Sequence, residues 1–213
     1  RVIDSLSYNE AMELAYFGAK VIHPQTMAPA VAQQIPIWIR NTFAPEKAGT
    51  LICAKPESKL LVKGITSFDK IALVNLEGAG ISVILISQGS SEHSICFAIP
   101  EAEASKAEAV VKEAFHTELR QGQIQRVEVT PACSILAVVG DGMAGAHGVA
   151  GKVFNALGSS GVSVKAIAQG ASERNISVVI DGKHSARALR AVHSGFYLSP
   201  NTVSIGVIGP GLV

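Results

Sequence analysis

Two polar decapeptides with the same pattern lie 81 positions apart and indicate an internal duplication. QGSSEHSICF occupies residues 88–97 and QGASERNISV residues 169–178, so both follow the pattern Q-G-x-S-E-x-x-I. Each follows an apolar run, ISVILIS in the first copy and VSVKAIA in the second, and short runs of this kind are typical of strands. The chain therefore builds the same strand end twice, and this repeat constrains its fold most.

The second copy is the more complete and predicts the element order β-α-β-β-α. One further strand would complete a ferredoxin-like β-α-β-β-α-β unit. Residues 203–208 are nearer in sequence, but GTLIC at 49–53 is an apolar strand without a partner. We predict that GTLIC completes the second unit, which would interlock the two copies. The predicted strands span 133–139, 162–168 and 175–181, and the predicted helices 147–157 and 185–196.

The sequence of the first copy, as written, has no residues for a first helix. Only Ala79 separates Gly78 from Gly80, whereas 18 residues separate Gly142 from Gly161 in the second copy. A crossover between parallel strands needs a dozen or more residues. Either this copy has no such helix, or about 17 residues are absent from the sequence as written, and we favour the second explanation. The other elements are strands at 71–76, 81–87, 94–99 and 124–129 and a helix at 101–119.

The first 47 residues differ from the repeat. Ser7-x-x-Glu10 is a capping box, and apolar residues follow at helical spacing until Gly18. Glu10 and Glu13 are predicted to be acids that a helix start favours. A short helical piece and the strand IPIWIR come next. These elements are too few for a core, so they are predicted to complete a domain that begins upstream.

The predicted fold class is α+β, with two interlocked ferredoxin-like units behind an α/β segment. The predicted divisions are 1–47, a linker and strand at 48–58, a first unit at 59–130, a second at 131–200, and a final segment at 201–213.

Composition argues against several classes of function. The net charge is +1 and aromatic residues make up 5% of the chain, so neither a nucleic acid nor a membrane surface is a predicted partner. Three cysteines lie far apart in apolar runs, and His184 and His193 lie nine positions apart, which predicts neither a disulfide nor a metal site. No apolar run approaches the roughly 20 residues of a membrane span.

Three segments resemble, in order, three parts of the bifunctional aspartate kinase–homoserine dehydrogenases. FGAKVIHPQTMAPAVAQQIPIWIRNTFAPEKAGTLI resembles the end of the kinase catalytic domain. The doubled unit with LISQGSSEHSICFAIPE and AIAQGASERNISVVI is similar to paired ACT regulatory domains. The tail SIGVIGPGLV is similar to the first strand and opening glycines of homoserine dehydrogenase. The resemblance covers essentially the whole chain and implies a piece of a longer protein.

The resemblance implies a regulatory domain that binds L-threonine and inhibits the kinase. In related kinases the effector lies between ACT domains and contacts the strand-end glutamine, the turn before the first helix and the backbone of the facing strand. The Gly-rich entry that begins at Gly142 suits a carboxylate, and Asp141 could neutralise the ammonium group. The transferred positions are Gln88, Gln169, Glu77, Asp141, Gly142, Ser82, Val83, Ser163 and Val164. Glu92 and Glu173 recur as well but are predicted to be solvated turn residues.

No catalysis and no cofactor site are predicted for the chain itself. Gly209-x-Gly211 begins a dinucleotide fingerprint but stops before its third glycine, and no ATP-binding loop is present. The resemblance implies ATP with Mg²⁺ and NAD(P) for the longer protein. It also implies a homodimer or higher homo-oligomer through ACT units, in the cytoplasm or, in a plant or alga, the plastid stroma.

Two alternatives remain open. The chain could be an oligomerisation module whose ligand sites have decayed, which the missing helix would favour. It could also belong to a lysine-sensitive aspartate kinase with a single activity, which the SIGVIGPG tail argues against.

Overall fold

The computed structural model describes residues 2–18, 22–57, 60–74, 83–88 and 95–197, without the side chains of Pro24, Gln25 and Gln88. The strands are β1 (Ser5–Ser7), β2 (Ile37–Ile39), β3 (Thr50–Cys53), β4 (Gly64–Val74), β5 (Leu85–Gln88), β6 (Ile95–Pro100), β7 (Val129–Val139), β8 (Val164–Gln169) and β9 (Asn175–Asp181). The α-helices are α1 (Tyr8–Tyr16), α2 (Pro24–Ala32), α3 (Ala104–Ala114), α4 (His116–Arg120), α5 (Val149–Ser159) and α6 (Ser185–Tyr197).

The predicted capping box begins α1. The Glu10 backbone N–H donates to Ser7 Oγ at 3.0 Å, and the Ser7 backbone N–H donates to Glu10 Oε2 at 2.8 Å. These bonds satisfy donors that a helix start leaves unpaired. The helix ends at Phe17, and Gly18 follows with a φ of 107°, a conformation that favours glycine. Both predicted limits of this helix are confirmed.

The prediction that GTLIC completes the second unit is wrong. β3 instead lies in a three-stranded sheet, parallel to β1 and antiparallel to β2. There the side chain of Ile52 packs with Leu6, so the N-terminal part extends past the predicted boundary at residue 47. The first half of β4 is the final strand of the second unit instead, because residues 64–68 pair with residues 135–139 of β7. This segment continues directly into the first strand of the first unit and therefore needs no connecting loop.

Two long strands are shared between the units. β4 and β7 have 11 residues each, and they lie side by side at the centre of a sheet with the order β5-β6-β4-β7-β9-β8. The first half of β4 completes the second unit and its second half begins the first unit. β7 completes the first unit and then begins the second. The predicted interlocking of two ferredoxin-like units is thus confirmed, through a strand other than the predicted one.

A bulge in each shared strand marks the point where it passes from one unit to the other. The register of β4 against β7 shifts on either side of the Ile71–Cys133 pair, and Lys70 and Ala132 have φ values of 60° and 55°. An acidic side chain holds each bulge. Asp69 Oδ1 accepts from the Ser134 hydroxyl at 2.7 Å, and Glu101 Oε1 accepts from the Ala132 N–H at 3.1 Å. Bulges bend the strands that carry them, and here they fold one half of the sheet toward the other.

The two halves of the sheet share an inner apolar cluster, and helices cover their outer faces. α5 and α6 pack on the second half and α3 on the first. The folding also brings the outermost strands together, because the Ser87 hydroxyl donates to the Ile167 carbonyl oxygen at 2.9 Å. The inner cluster contains Phe17, Ile71, Leu85, Ala98, Cys133, Ile135, Ala137 and Val179.

The first unit connects its parallel strands by a short link. The link from β4 to β5 is residues 75–84, of which 75–82 lie outside the described residues, whereas residues 140–163 join β7 to β8. α5 alone has 11 residues, so a link of this length cannot hold an equivalent helix with its turns. The favoured explanation, that about 17 residues are absent from the sequence as written, stays a prediction. The alternative final strand at 203–208 also lies outside the described residues.

Across the described ranges, no helix is both long and apolar enough to cross a membrane.

We expect Gly140→Ala to destabilise the fold by about 2 kcal/mol or more, because the added Cβ would collide with the Leu61 carbonyl oxygen. Gly151→Ala is the matched control. A Cβ at Gly151 meets open space within α5, so this variant should gain about 0.5–1 kcal/mol. Urea denaturation followed by circular dichroism measures both changes, and equal stabilities for the two variants would contradict the predicted contact.

Candidate effector site

The ends of two strands bring the predicted polar residues of the second unit to one edge of the sheet. β7 and β8 are both antiparallel to β9, so they end at the same side. Gln169 lies opposite Ile176, and Val139 lies opposite Asn175. Neighbouring strands are about 4.8 Å apart, which places the Gln169 backbone roughly 10 Å from the end of β7. Asp141 follows that end, so Gln169 and Asp141 flank one cleft.

The turn between β7 and α5 leads into a helix start without a side-chain cap. Residues 141–143 form a single 3₁₀ turn, and Gly148 precedes the helix with a φ of 79°. No side chain caps the start of α5. The first N–H groups of a helix carry a partial positive charge and bind anions such as carboxylates. The helix start can therefore hold the carboxylate of a free amino acid.

Asp141 pairs with a neighbouring arginine. Arg174 Nε lies 3.1 Å from Asp141 Oδ1, and the side chains are 43% and 35% exposed. The two atoms lack hydrogen-bond alignment and have no other hydrogen-bond partner among the described residues. The contact is therefore an ion pair at moderate exposure, which a bound ammonium group can share or replace.

Glu173 closes the cleft from the side of the β8–β9 turn. Its side chain is exposed, as predicted, but Oε2 accepts from the Gly145 N–H at 2.7 Å. Glu173 also has a φ of 54°, which is unusual for a residue with a side chain. This contact between the two loops was not predicted. The signal was the recurrence of the glutamate at the same position of both decapeptides.

Helix α1 contacts the same loops. Glu10 is 1% exposed, and its Oε1 accepts from the Asp141 backbone N–H at 2.9 Å. One turn later, Glu13 Oε2 accepts from Asn175 Nδ2 at 2.8 Å. Both acids lie in α1 as predicted, but their contacts with the second unit were not predicted. Spacing within α1 could not show them, because the partners are 131 and 162 positions away.

Ser163 and Val164 do not lie beside Gln169 within the second unit. Val164 lies opposite Ile180 at the other end of β8, roughly 17 Å from Gln169 along the strand. The facing strand is β5 instead. Every pairing of the six-stranded sheet is antiparallel, so β5 and β8 at its two edges run in opposite directions. Ser87 contacts Ile167, so Gln169 lies toward the start of β5, where Val83 precedes the strand.

The same geometry places the backbone of Gln88 toward the start of β8. Glu77, Ser82, Glu92, Gly209 and Gly211 lie outside the described residues, and only the backbone of Gln88 is described.

Two cavities lie at other places in the described structure. A cavity of about 510 Å³ borders β1, α1 and β3, with Leu6, Leu14 and Ile52 in its wall. A second of about 450 Å³ includes Lys63 and Tyr197. Neither is lined by Gln169 or Asp141.

The described residues contain no group of three or more His, Cys, Asp or Glu side chains that could hold a metal ion. The cysteines are free thiols. Burial raises the pKa of Cys96 and Cys133, and in Cys96 the neighbouring Cys133 adds to the effect.

Two interlocked units, of which the second shows the full β-α-β-β-α-β order, define a tandem ferredoxin-like module. A family model described as "ACT domain" matches residues 72–115 and 136–196. The likeness to the ACT-domain family therefore lies in the two interlocked units.

Curated relatives resemble the chain over its full length. It is 44% identical over its whole length to bifunctional aspartokinase/homoserine dehydrogenase 2, chloroplastic, of Arabidopsis thaliana, and spans 26% of that protein. It is 42% identical over 99% of its length to the bifunctional aspartokinase/homoserine dehydrogenase of Haemophilus influenzae, of which it spans 28%. The Arabidopsis alignment has 237 positions against 213 residues here, so the chain is shorter than the matching segment. The resemblance predicted from three segments is confirmed, and the chain spans about a quarter of these relatives.

Solved structures agree in fold. The aspartate kinase of Clostridium acetobutylicum matches with a TM-score of 0.79 at 26% identity, over 92% of this chain and 49% of that one. E. coli aspartokinase III in complex with lysine and aspartate matches with a TM-score of 0.70 at 28% identity, over 92% of this chain and 47% of that one.

We expect Cys133 to resist alkylation by iodoacetamide at pH 8 in the native protein. Its side chain is buried, and a raised pKa lowers the fraction of reactive thiolate at that pH. Cys53, which is partly exposed, is the internal control and should react faster. Mass spectrometry of labelled peptides before and after unfolding measures both rates. Rapid native labelling of Cys133 would contradict its buried position.

Proposed function

We propose that this chain is the allosteric segment of a bifunctional aspartokinase/homoserine dehydrogenase and that it binds L-threonine at the second ACT unit. The observation that carries the proposal is the convergence of Gln169, Asp141 and the uncapped start of α5 at one cleft. The full-length identity to two such enzymes supports the identity of the parent.

The cleft offers a complementary group for each polar group of threonine. The backbone N–H groups at the start of α5 donate to the carboxylate. Asp141 balances the ammonium group, in competition with Arg174. The Gln169 amide can donate to the threonine hydroxyl and accept from it. A lysine side chain would instead bring a second cation toward Arg174, which disfavours that ligand.

We propose one complete site for each chain. The first unit repeats the glutamine, at Gln88, but its link of residues 75–84 is too short for a helix that could receive the carboxylate. In this proposal β5 of the first unit supplies the facing strand through Val83, and the transferred residues Glu77 and Ser82 have no ligand of their own.

The catalytic activities belong to other parts of the parent in this proposal. ATP with Mg²⁺ and NAD(P) would bind in the kinase and dehydrogenase domains. The proposed location is the cytoplasm or, in a plant or alga, the plastid stroma, as the name of the Arabidopsis relative says of that protein.

Calorimetric titration of the chain with L-threonine tests the site. We expect one molecule per chain, and Gln169→Ala should weaken binding about tenfold through loss of the amide hydrogen bonds. Asp141→Asn should also weaken binding, at a stability cost below about 1 kcal/mol because its ion pair is partly exposed.

Gln123→Ala is the matched control, since it removes an exposed glutamine remote from the cleft. Gln88→Ala separates the two units, and an effect equal to that of Gln169→Ala would indicate two sites. Unaltered affinity in Gln169→Ala would contradict the site, whatever the result for Gln88→Ala. Tighter binding of lysine than threonine would favour a lysine-sensitive kinase, and no binding of either would favour an oligomerisation module.

We also propose that two copies associate through the outer face of the β5–β8 seam. Ile86 and Ile167 occupy equivalent positions of the repeat, lie on either side of the seam, and are 61% and 47% exposed. Neighbouring exposed apolar side chains of this kind mark a surface that a partner covers.

Sedimentation equilibrium of Ile167→Lys tests this association. We expect the wild-type chain to sediment as a dimer and the variant as a monomer, because a lysine would be buried in the interface. Ile35→Lys, at an exposed isoleucine outside the seam, is the control and should remain dimeric. A monomeric wild-type chain with threonine present would contradict the proposal.

A further inference from the structure

Helix α1 touches both walls of the candidate cleft. On one side Glu10 accepts from the backbone N–H of Asp141 at 2.9 Å. On the other side the Tyr16 hydroxyl donates to the carbonyl oxygens of Ile84 at 3.2 Å and Val83 at 3.4 Å. These walls are the turn before α5 and the start of the facing strand, so α1 spans the cleft between them.

The contact at Glu10 requires a carboxylate. Two backbone N–H groups point at the side chain, from Ser7 at 2.8 Å and from Asp141 at 2.9 Å. A carboxylate accepts both, whereas an amide has one acceptor oxygen and would direct its NH₂ group at the second donor. Because Glu10 is 1% exposed, water cannot replace a lost bond. Glu10 therefore ties the capping box of α1 to the turn of the second unit.

The contact at Tyr16 is of a different kind. The Tyr16 side chain is 52% exposed, so burial of its ring does not account for its position. The next residue, Phe17, is 5% exposed and packs in the inner cluster with Leu85. The end of α1 is thus held beside the start of β5 by one apolar contact and by the hydroxyl of Tyr16.

We propose that Glu10 and Tyr16 are positioning residues that make the position of α1 depend on the separation of the two walls. This inference rests on the proposed function, in which threonine lodges between these walls. A ligand that changes their separation must shift α1 or break one of its contacts. α1 follows β1 directly, with Ser7 as both the last residue of the strand and the cap of the helix, so a shift passes to the N-terminal sheet.

The N-terminal sheet carries the segment that resembles the end of the kinase domain. A ligand alters an equilibrium only by its different affinity for the two states. The bridging contacts of α1 provide such a difference, because they are made at one separation of the walls and lost at another. The coupling is thereby assigned to two hydrogen-bonding side chains.

NMR of the 213-residue chain titrated with L-threonine tests the inference. In the wild type, threonine should shift the backbone amides of Asp141 and of α1. In the double variant Glu10→Gln/Tyr16→Phe, the shifts of the α1 amides should fall at least about fivefold while calorimetry still detects binding. Without ligand, the Asp141 amide of Glu10→Gln should exchange with solvent faster than in the wild type.

Ser7→Ala is the control for a merely structural role of α1. It removes the hydroxyl of the capping box but leaves Glu10 to accept from Asp141. It should lower the Tm by roughly 3 °C and retain the threonine-induced shifts of α1. Equal shifts in the double variant and the wild type, or equal losses in the double variant and Ser7→Ala, would overturn the inference. A blank calorimetric titration of the wild type would instead overturn the proposed function, and this inference with it.

Discussion

The pairing of β4 with β7 is the contact on which the rest of the structure depends. Each strand begins one unit and completes the other, so neither unit has a finished sheet without its partner. The bulges at Lys70 and Ala132 lie where the strands change units, and each places a non-glycine residue at a positive φ. Such residues cost roughly 1 kcal/mol or more each and persist only where neighbouring contacts hold them. Asp69 and Glu101 make those contacts.

The bend at the bulges has a functional consequence. It brings the inner faces of the two half-sheets together and places β5 of the first unit beside β8 of the second. The candidate cleft thereby gains a second wall from a different unit. α1 then contacts both walls, which links the N-terminal sheet to the second unit through Glu10 and to β5 through Tyr16. In the proposed function this path joins the effector to the kinase.

Much of the fold could be predicted from local sequence. Apart from β7, which begins four residues before its predicted start, the helices and strands of the second unit lie within about two residues of their predicted limits. The apolar spacing and the glycines at 158 and 161 are local signals that made this possible. The wrong prediction for GTLIC shows what local sequence does not determine, namely which sheet a strand joins. The apolar sequence of GTLIC fits any sheet with a vacant edge, and the choice between sheets depends on connections and on partners such as Leu6. The pairing of residues 64–68 with β7 was not predicted, because β4 passes from one unit to the other without a break in the strand.

The residues of the candidate site also divide into those that local sequence could predict and those that it could not. Gln169 and Asp141 could be found because the repeat and the family resemblance mark them. Glu10 and Tyr16 could not, because a capping glutamate has the same sequence signature whether or not its second oxygen binds a distant loop. Long-range hydrogen bonds to backbone groups leave no pattern in a single sequence, since any residue can provide the backbone partner.

In the proposed function, the two decapeptides serve different purposes within one repeat. The second ends β8 beside a complete turn and helix, whereas the first ends β5 in a unit whose link of residues 75–84 has no room for that helix. β5 nevertheless keeps its pairing with β6 and its contact with β8 through Ser87. Since those contacts form the facing wall of the second unit's cleft, the first copy is required for the proposed site even if it binds no ligand itself. A duplicated fold can therefore lose one site and still need both copies to build the other.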